Sequence, residues 1–297
     1  MTRFTIAAAQ YPIDLIESWS AYEAKLSRWV ETAAADGASL AVFPEYGAME
    51  LAALDPATAG DLQGCLGSVA GLLPDVDALH MRLAERFGLH ILAGSIPAAI
   101  PGGFVNRARL FAPSGKVGVQ DKLVMTRFER EEWHISASGP LRLFETSLGK
   151  IGINICYDSE FPLLARAQIE AGMELLLVPS CTDSEHGYWR VRHGAQARAL
   201  EGQCYSVQSP TVGTAEWNPA VDMNRGAAGL FGPPDRGMPT DGVLALGEMD
   251  AAQWVFGEVD LAKVAELRAD GGVLNARHWT EQPGAAALPA VEVVDLR

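Results

Sequence analysis

Three residues in this sequence could together carry acyl-transfer chemistry: Glu45, Lys122 and Cys156. Each stands where an apolar run stops. Val42-Phe43-Pro44 leads into Glu45, Val117-Gly-Val119-Gln-Asp121 into Lys122, and Ile153-Asn-Ile155 into Cys156. Loops at strand ends are where a rigid scaffold gathers reactive groups. The three types also complement one another. A thiol supplies a nucleophile, a carboxylate takes and returns protons, and an ammonium steadies a developing oxyanion. Singly, each has a plainer reading: a charge after a strand is usually solvated, and a cysteine is often a small core residue.

The stretch Lys150-Ile-Gly-Ile-Asn-Ile-Cys-Tyr-Asp-Ser-Glu-Phe-Pro162 must position the thiol. Ile151, Ile153 and Ile155 recur at period two, which predicts a short strand with one apolar face. Pro162 can open a helix, because its missing N–H is not needed in a first turn. Cys156 is thus expected at a strand-to-turn bend, where backbone N–H groups can face a bound carbonyl and help lower a thiol pKa. Asp158 and Glu160 are assigned no chemical role, a structural one being the simpler expectation.

The remaining elements follow from periodicity. Strands are predicted at Phe4 to Ala9, Leu40 to Phe43, His90 to Ile96, Glu174 to Val178, Cys204 to Gln208, Val243 to Leu246 and Trp254 to Val259. Phe104 to Ala112 with Lys116 to Asp121, and Leu141 to Glu145 with Lys150 to Ile155, read as hairpins. Helices are predicted from Ser18 or Ser20 to Gly37, around Val76 to Phe87, and over Leu163 to Ala171, Trp189 to Glu201 and Leu261 to Ala269. Residues 209–241 read as long excursions around short strands. The tail from Gly271 is expected to be mostly extended, lying on the body or on a second subunit. Without an internal repeat or a compositional break, a single domain of mixed sheets covered by helices is expected, in the α/β or α+β range.

The segments Phe43-Pro-Glu-Tyr46, Asp121-Lys122-Leu and Asn154-Ile-Cys-Tyr-Asp-Ser-Glu-Phe-Pro162 resemble the three signature blocks of the carbon–nitrogen hydrolase (nitrilase) superfamily, in order and at its usual separations. Arg198-Ala-Leu-Glu-Gly-Gln-Cys-Tyr205 resembles the helix-to-strand block that follows the nucleophile. The resemblance covers roughly residues 3–270. Within the superfamily it is to a little-characterised branch, some of whose members carry an added acetyltransferase domain not found in this sequence. It implies a four-layer α-β-β-α sandwich over residues 1–270, with residues 271–297 as the tail, and a homodimer or higher homo-oligomer. It also implies Glu45 as general base, Lys122 as oxyanion-stabilising cation, Cys156 as nucleophile and the Tyr157 backbone N–H as second oxyanion donor. The family has a further glutamate after the lysine, for which Glu129, Glu131 and Glu132 compete. Glu132 lies seven residues before Gly139, the family spacing, and is taken ahead of Glu129. Cys181, His186 and Trp189 are expected, with Tyr157, to line the substrate pocket. A Cys156–His186 dyad is the weaker alternative.

The expected activity is thiol-dependent hydrolysis of a small linear amide. The alternatives are a nitrilase, an N-acyltransferase using the same acyl-enzyme, and a non-catalytic dimeric interaction module. A net charge of −14 over 297 residues excludes nucleic acid and anionic membranes as expected partners. Cys65, Cys156, Cys181 and Cys204 are widely spaced and suggest neither a zinc site nor a disulfide framework. With no G-x-S-x-G, G-x-G-x-x-G or P-loop motif, no cofactor is expected. The N-terminus lacks a long apolar run, so a reducing, cytoplasmic setting is expected.

Overall fold

In a computed structural model, described for residues 3–287 and 289–297, the strands are β1 (Arg3–Pro12), β2 (Ala38–Val42), β3 (His90–Ile100), β4 (Gly103–Phe111), β5 (Val117–Asp121), β6 (Ile135–Ser136), β7 (Leu141–Thr146), β8 (Gly149–Ile153), β9 (Leu175–Ser180), β10 (Tyr205–Thr214), β11 (Met223–Asn224), β12 (Gly229–Phe231), β13 (Val243–Leu246), β14 (Gln253–Asp260) and β15 (Val291–Asp295). The helices are α1 (Trp19–Ala35), α2 (Gly64–Gly71), α3 (Leu73–Phe87), α4 (Arg127–Glu131), α5 (Pro162–Glu170), α6 (Glu185–Gly202), α7 (Leu261–Asp270) and α8 (Asn275–His278). Among the described residues no helix is long and apolar enough to cross a membrane.

Strand alternation builds the layers. On β1, Phe4, Ile6 and Ala8 join the core between the sheets, with Phe144, Ile151, Ile153 and Leu177 facing them. Ala7, Ala9 and Tyr11 point the other way, into a core shared with Leu26 and Val30 of α1 and Leu79 and Leu83 of α3. Burying each large apolar side chain this way contributes roughly 1.5–3 kcal/mol. One half-sheet runs β14-β1-β2-β3-β4-β5, the other β15-β7-β8-β9-β10 with β12 and β13 beyond. They meet where Tyr11 and Pro12 pair in parallel with Thr211 and Val212. Ser209 ties the seam by donating to the carbonyls of Ala9 and Val42, at 2.7 and 2.9 Å. With α5 and α6 on the outer face of the second half, the result is the α-β-β-α sandwich.

Local chemistry sets the ends. The Ser18 side chain accepts from Ala21 N–H and starts α1, and Gly37, at φ 81°, ends it. The β4–β5 and β7–β8 hairpins form in antiparallel register, with Phe111 opposite Val117 and Thr146 opposite Gly149. Helix α6 starts four residues earlier than periodicity predicts, because Ser184 caps it by accepting from Gly187 N–H. The tail holds an unpredicted strand: β15 lies parallel to β7 along the sheet edge, Val291 beside Leu141.

Candidate active site

Glu45, Lys122 and Cys156 converge at one end of the sandwich. The loop after β2 is bent sharply, with Tyr46 in the left-handed region at φ 54°. It is held against β3, where Ser95 N–H donates to the Pro44 carbonyl at 3.1 Å and Ser95 Oγ accepts from Tyr46 N–H at 2.9 Å. Backbone meets backbone here. A Cβ on Gly94 would lie 3.0 Å from the Pro44 carbonyl oxygen and 3.1 Å from Gly47 Cα. Gly94→Ala is therefore expected to push the Glu45 loop outward, lowering kcat by roughly 10–100-fold for a stability loss of about 1–3 kcal/mol. Parallel kcat measurements and thermal melts check this; unchanged kcat would show that the loop absorbs the methyl.

Lys122 follows β5 and is buried, its Nζ 2.7 Å from Glu45 Oε1 and 2.6 Å from Glu129 Oε2. The second glutamate beside the lysine is thus Glu129, and the sequence-based choice of Glu132 is corrected: Glu132 is exposed just past the end of α4. The reason is a capping box. Thr126 Oγ1 accepts from Glu129 N–H, and the Glu129 side chain bends back to accept from Thr126 N–H at 2.9 Å. That turn aims its carboxylate inward, where Tyr46 OH also donates at 2.8 Å.

Glu45 is saturated with donors. Oε1 accepts from Lys122 and from Asn106 Nδ2 at 2.8 Å, while Oε2 accepts from Cys181 N–H at 2.9 Å. Burial pushes its carboxyl above the ordinary value; Lys122 pulls it down and Glu129 pushes it up again. Burial acts on Glu129 too, but Lys122 and the surrounding donors outweigh it and hold that carboxyl below the usual range. Burial also opposes the Lys122 charge, yet Glu129 and Glu45 prevail and raise it well above a normal lysine.

Cys156 is buried at φ 48°, a left-handed conformation unusual for a residue with a Cβ. Contrary to the expectation of a lowered thiol pKa, burial pushes it well up, and Glu45 adds to the effect. The sulfur therefore rests as a thiol, and it donates to the Cys181 carbonyl at 3.8 Å. Asp158 takes the structural role expected of it. Its carboxylate accepts N–H groups from Leu123, Val124 and Ile155, at 2.8–3.2 Å for the shortest contact of each, joining the Lys122 loop to the Cys156 turn. Burial pushes its carboxyl up to about 7, against the pull of Lys122 and those donors.

The thiol opens on a cavity of about 330 Å³. Tyr157 and Cys181 line it, as expected. His186 and Trp189 do not: both are exposed on α6, with Trp189 packed on Tyr188 and His193. Gly187, Arg190 and Val191 line the cavity instead, joined by Glu160, whose carboxylate is 3.4 Å from Arg190. Among the described residues no His, Cys, Asp and Glu side chains are grouped so as to hold a metal ion. Asn106 was missed from sequence, where Arg107 and Arg109 also interrupt the apolar run of β4.

Residues 5–246 match the carbon-nitrogen hydrolase family. Over 268 residues the chain is 34% identical to "Probable hydrolase YhcX" of Bacillus subtilis, covering 90% of this chain but only 52% of that relative, about half its length. It is 26% identical over 283 residues to human "Omega-amidase NIT2", covering 90% and 92% of the two chains. The fold is similar to that of Saccharomyces cerevisiae Nit3, a member of branch 10 of the nitrilase superfamily, at a TM-score of 0.71, 18% identity and coverage of 90% and 94%. The family model, which spans most of the chain, and the fold shared with that structure establish that the chain belongs to the carbon-nitrogen hydrolase family.

Proposed function

We propose that the protein is a thiol amidohydrolase of small linear amides, in which Cys156 is the nucleophile, Glu45 the general base and acid, and Lys122 the oxyanion-stabilising cation. The observation that carries this reading is the convergence on one cavity of a buried Cys156 thiol, a Glu45 carboxylate and the Lys122 ammonium that orients it at 2.7 Å. Cys156 Sγ attacks the amide carbon as Glu45 takes the thiol proton. The oxyanion is stabilised by Lys122 and the Tyr157 backbone N–H. Collapse breaks the C–N bond, Glu45 returns the proton to the leaving ammonia or amine, and a thioester remains. Water, deprotonated by Glu45, then attacks the thioester; the sulfur leaves and regains a proton. The net reaction is amide plus water to acid plus amine. Glu129 is a positioning residue for Lys122.

Amides are favoured over nitriles because relatives bear amidase names, among them human "Omega-amidase NIT2". The test is ammonia release from a panel of short amides and nitriles, with intact-mass detection of an acyl group on Cys156. Ammonia and an adduct from an amide are expected. Release from nitriles alone would overturn the amidase reading, as would amide turnover undiminished in Cys156→Ala.

A further inference from the structure

Asn106 lies on β4 with no exposed surface. Its Nδ2 donates to Glu45 Oε1 at 2.8 Å and to Glu129 Oε1 at 3.3 Å, and its backbone carbonyl accepts Lys122 N–H at 2.9 Å. One residue thus touches all three charged members of the cluster. The orientation of its amide is forced by chemistry: turned over, its oxygen would face two carboxylates. The cost is visible, because Oδ1 is buried and finds no hydrogen-bond partner among the described residues. An orphaned acceptor of this kind destabilises by about 1–3 kcal/mol. Leucine has nearly the same shape and would avoid that penalty, so the amide's two donors are what the position keeps.

We propose that Asn106 is a positioning residue, a wedge whose amide fixes the Glu45 and Glu129 carboxylates in register on Lys122 and keeps Glu45 ready to accept the thiol proton. The inference rests on the reading of Glu45 as general base. The charged and titratable groups facing Glu45 are Lys122 beyond β5, Glu129 on α4, Cys156 at the nucleophile turn, Tyr46 beside it and Cys181 beyond β9. Of the uncharged side chains there, Asn106 is the one that donates to both carboxylates. Donation to an ionised carboxylate favours the charged form, so its loss moves the ionisation of Glu45 to higher pH.

The test uses iodoacetamide as a probe independent of the natural substrate. Its alkylation of Cys156, assigned by peptide mass mapping, is followed from pH 4 to 9. The rate should fall on the acid side as Glu45 takes up a proton. In Asn106→Leu that acid limb should move up by about one pH unit, leaving the variant about tenfold slower on the limb. Asn106→Asp, which sets a third carboxyl against the other two, should move it at least as far. Asn106→Asp with Glu129→Gln exchanges amide and carboxylate at constant charge and should bring the limb back toward wild type. An unshifted limb in folded Asn106→Leu overturns the proposal, and so does a double variant no better than Asn106→Asp. That second comparison decides the matter should Asn106→Leu fail to fold. Glu45→Gln separates the two claims: a limb that persists there removes Glu45 as the base, whereas a limb lost there but unmoved in the Asn106 variants removes only the wedge.

Discussion

Replacing Cys156 with alanine is expected to lower amide turnover by about six orders of magnitude, the scale seen when a covalent nucleophile is removed, while the fold survives. The loss should be this large because nothing beside the thiol can replace it. Cys181 also borders the cavity, but its thiol donates to Asn224 Oδ1 at 3.4 Å, and what it offers Glu45 is its backbone N–H. Stability should behave differently. The left-handed backbone at residue 156 costs a residue with a Cβ about 1–2 kcal/mol, and alanine inherits that cost. Cys156→Gly should therefore melt above Cys156→Ala while being equally inactive. Turnover assays with thermal melts of both variants check this. More than a few per cent of wild-type activity in either would end the assignment of Cys156 as nucleophile.

Lys122→Met should cost both activity and stability. An oxyanion donor is worth about 10²–10³ in turnover, and the loss should be larger because Glu45 also loses its orienting cation. Removing one partner of a buried ion cluster typically costs about 3–5 kcal/mol. The penalty should depend on pH in a defined direction. Without the ammonium, burial and mutual repulsion raise the folded-state ionisation of Glu45 and Glu129 above that of the unfolded chain. Stability is then fully present below the unfolded carboxylate value and is lost as pH rises through the raised one. Wild type differs at Glu129, which Lys122 holds low, so that its contribution persists at neutral pH and is lost only in acid. Urea midpoints for the two proteins should accordingly lie far apart at pH 8 and converge toward pH 5. A constant gap would mean that the carboxylates are not coupled to the lysine.

The sandwich and the three strand-end residues were legible because both follow from local rules. The unbroken apolar run from Phe4 to Ala9 marks a strand buried on both faces, and an apolar strand that stops leaves its next residue at the sheet's end. The second glutamate was misplaced because distance to Gly139 was weighed above local helix chemistry. Thr126-x-x-Glu129 is itself a capping signature, and it turns Glu129 inward and leaves Glu132 outside. His186 and Trp189 were misjudged for a related reason. The Ser184 cap starts α6 early, and Gly187, Arg190 and Val191 occupy its cavity side, with His186 and Trp189 left exposed. Asn106 was illegible as part of the site because its partners come from residues 45 and 129, and no sequence pattern records that meeting.

The placement of β1 carries a consequence in time. It is made ahead of the other described strands, yet it lies between β2 and β14, with Phe4 opposite Val259. At synthesis rates of about 5–20 residues per second, that partner emerges roughly 10–50 s after β1. Through that interval the β1 edge has no native cover. For most of it the seam to β10 is also unmade, so the Glu45 loop cannot yet meet the cysteine turn across the sandwich. Nascent chains should therefore be inert and depend on chaperones until β14 arrives, with activity gained in one late step.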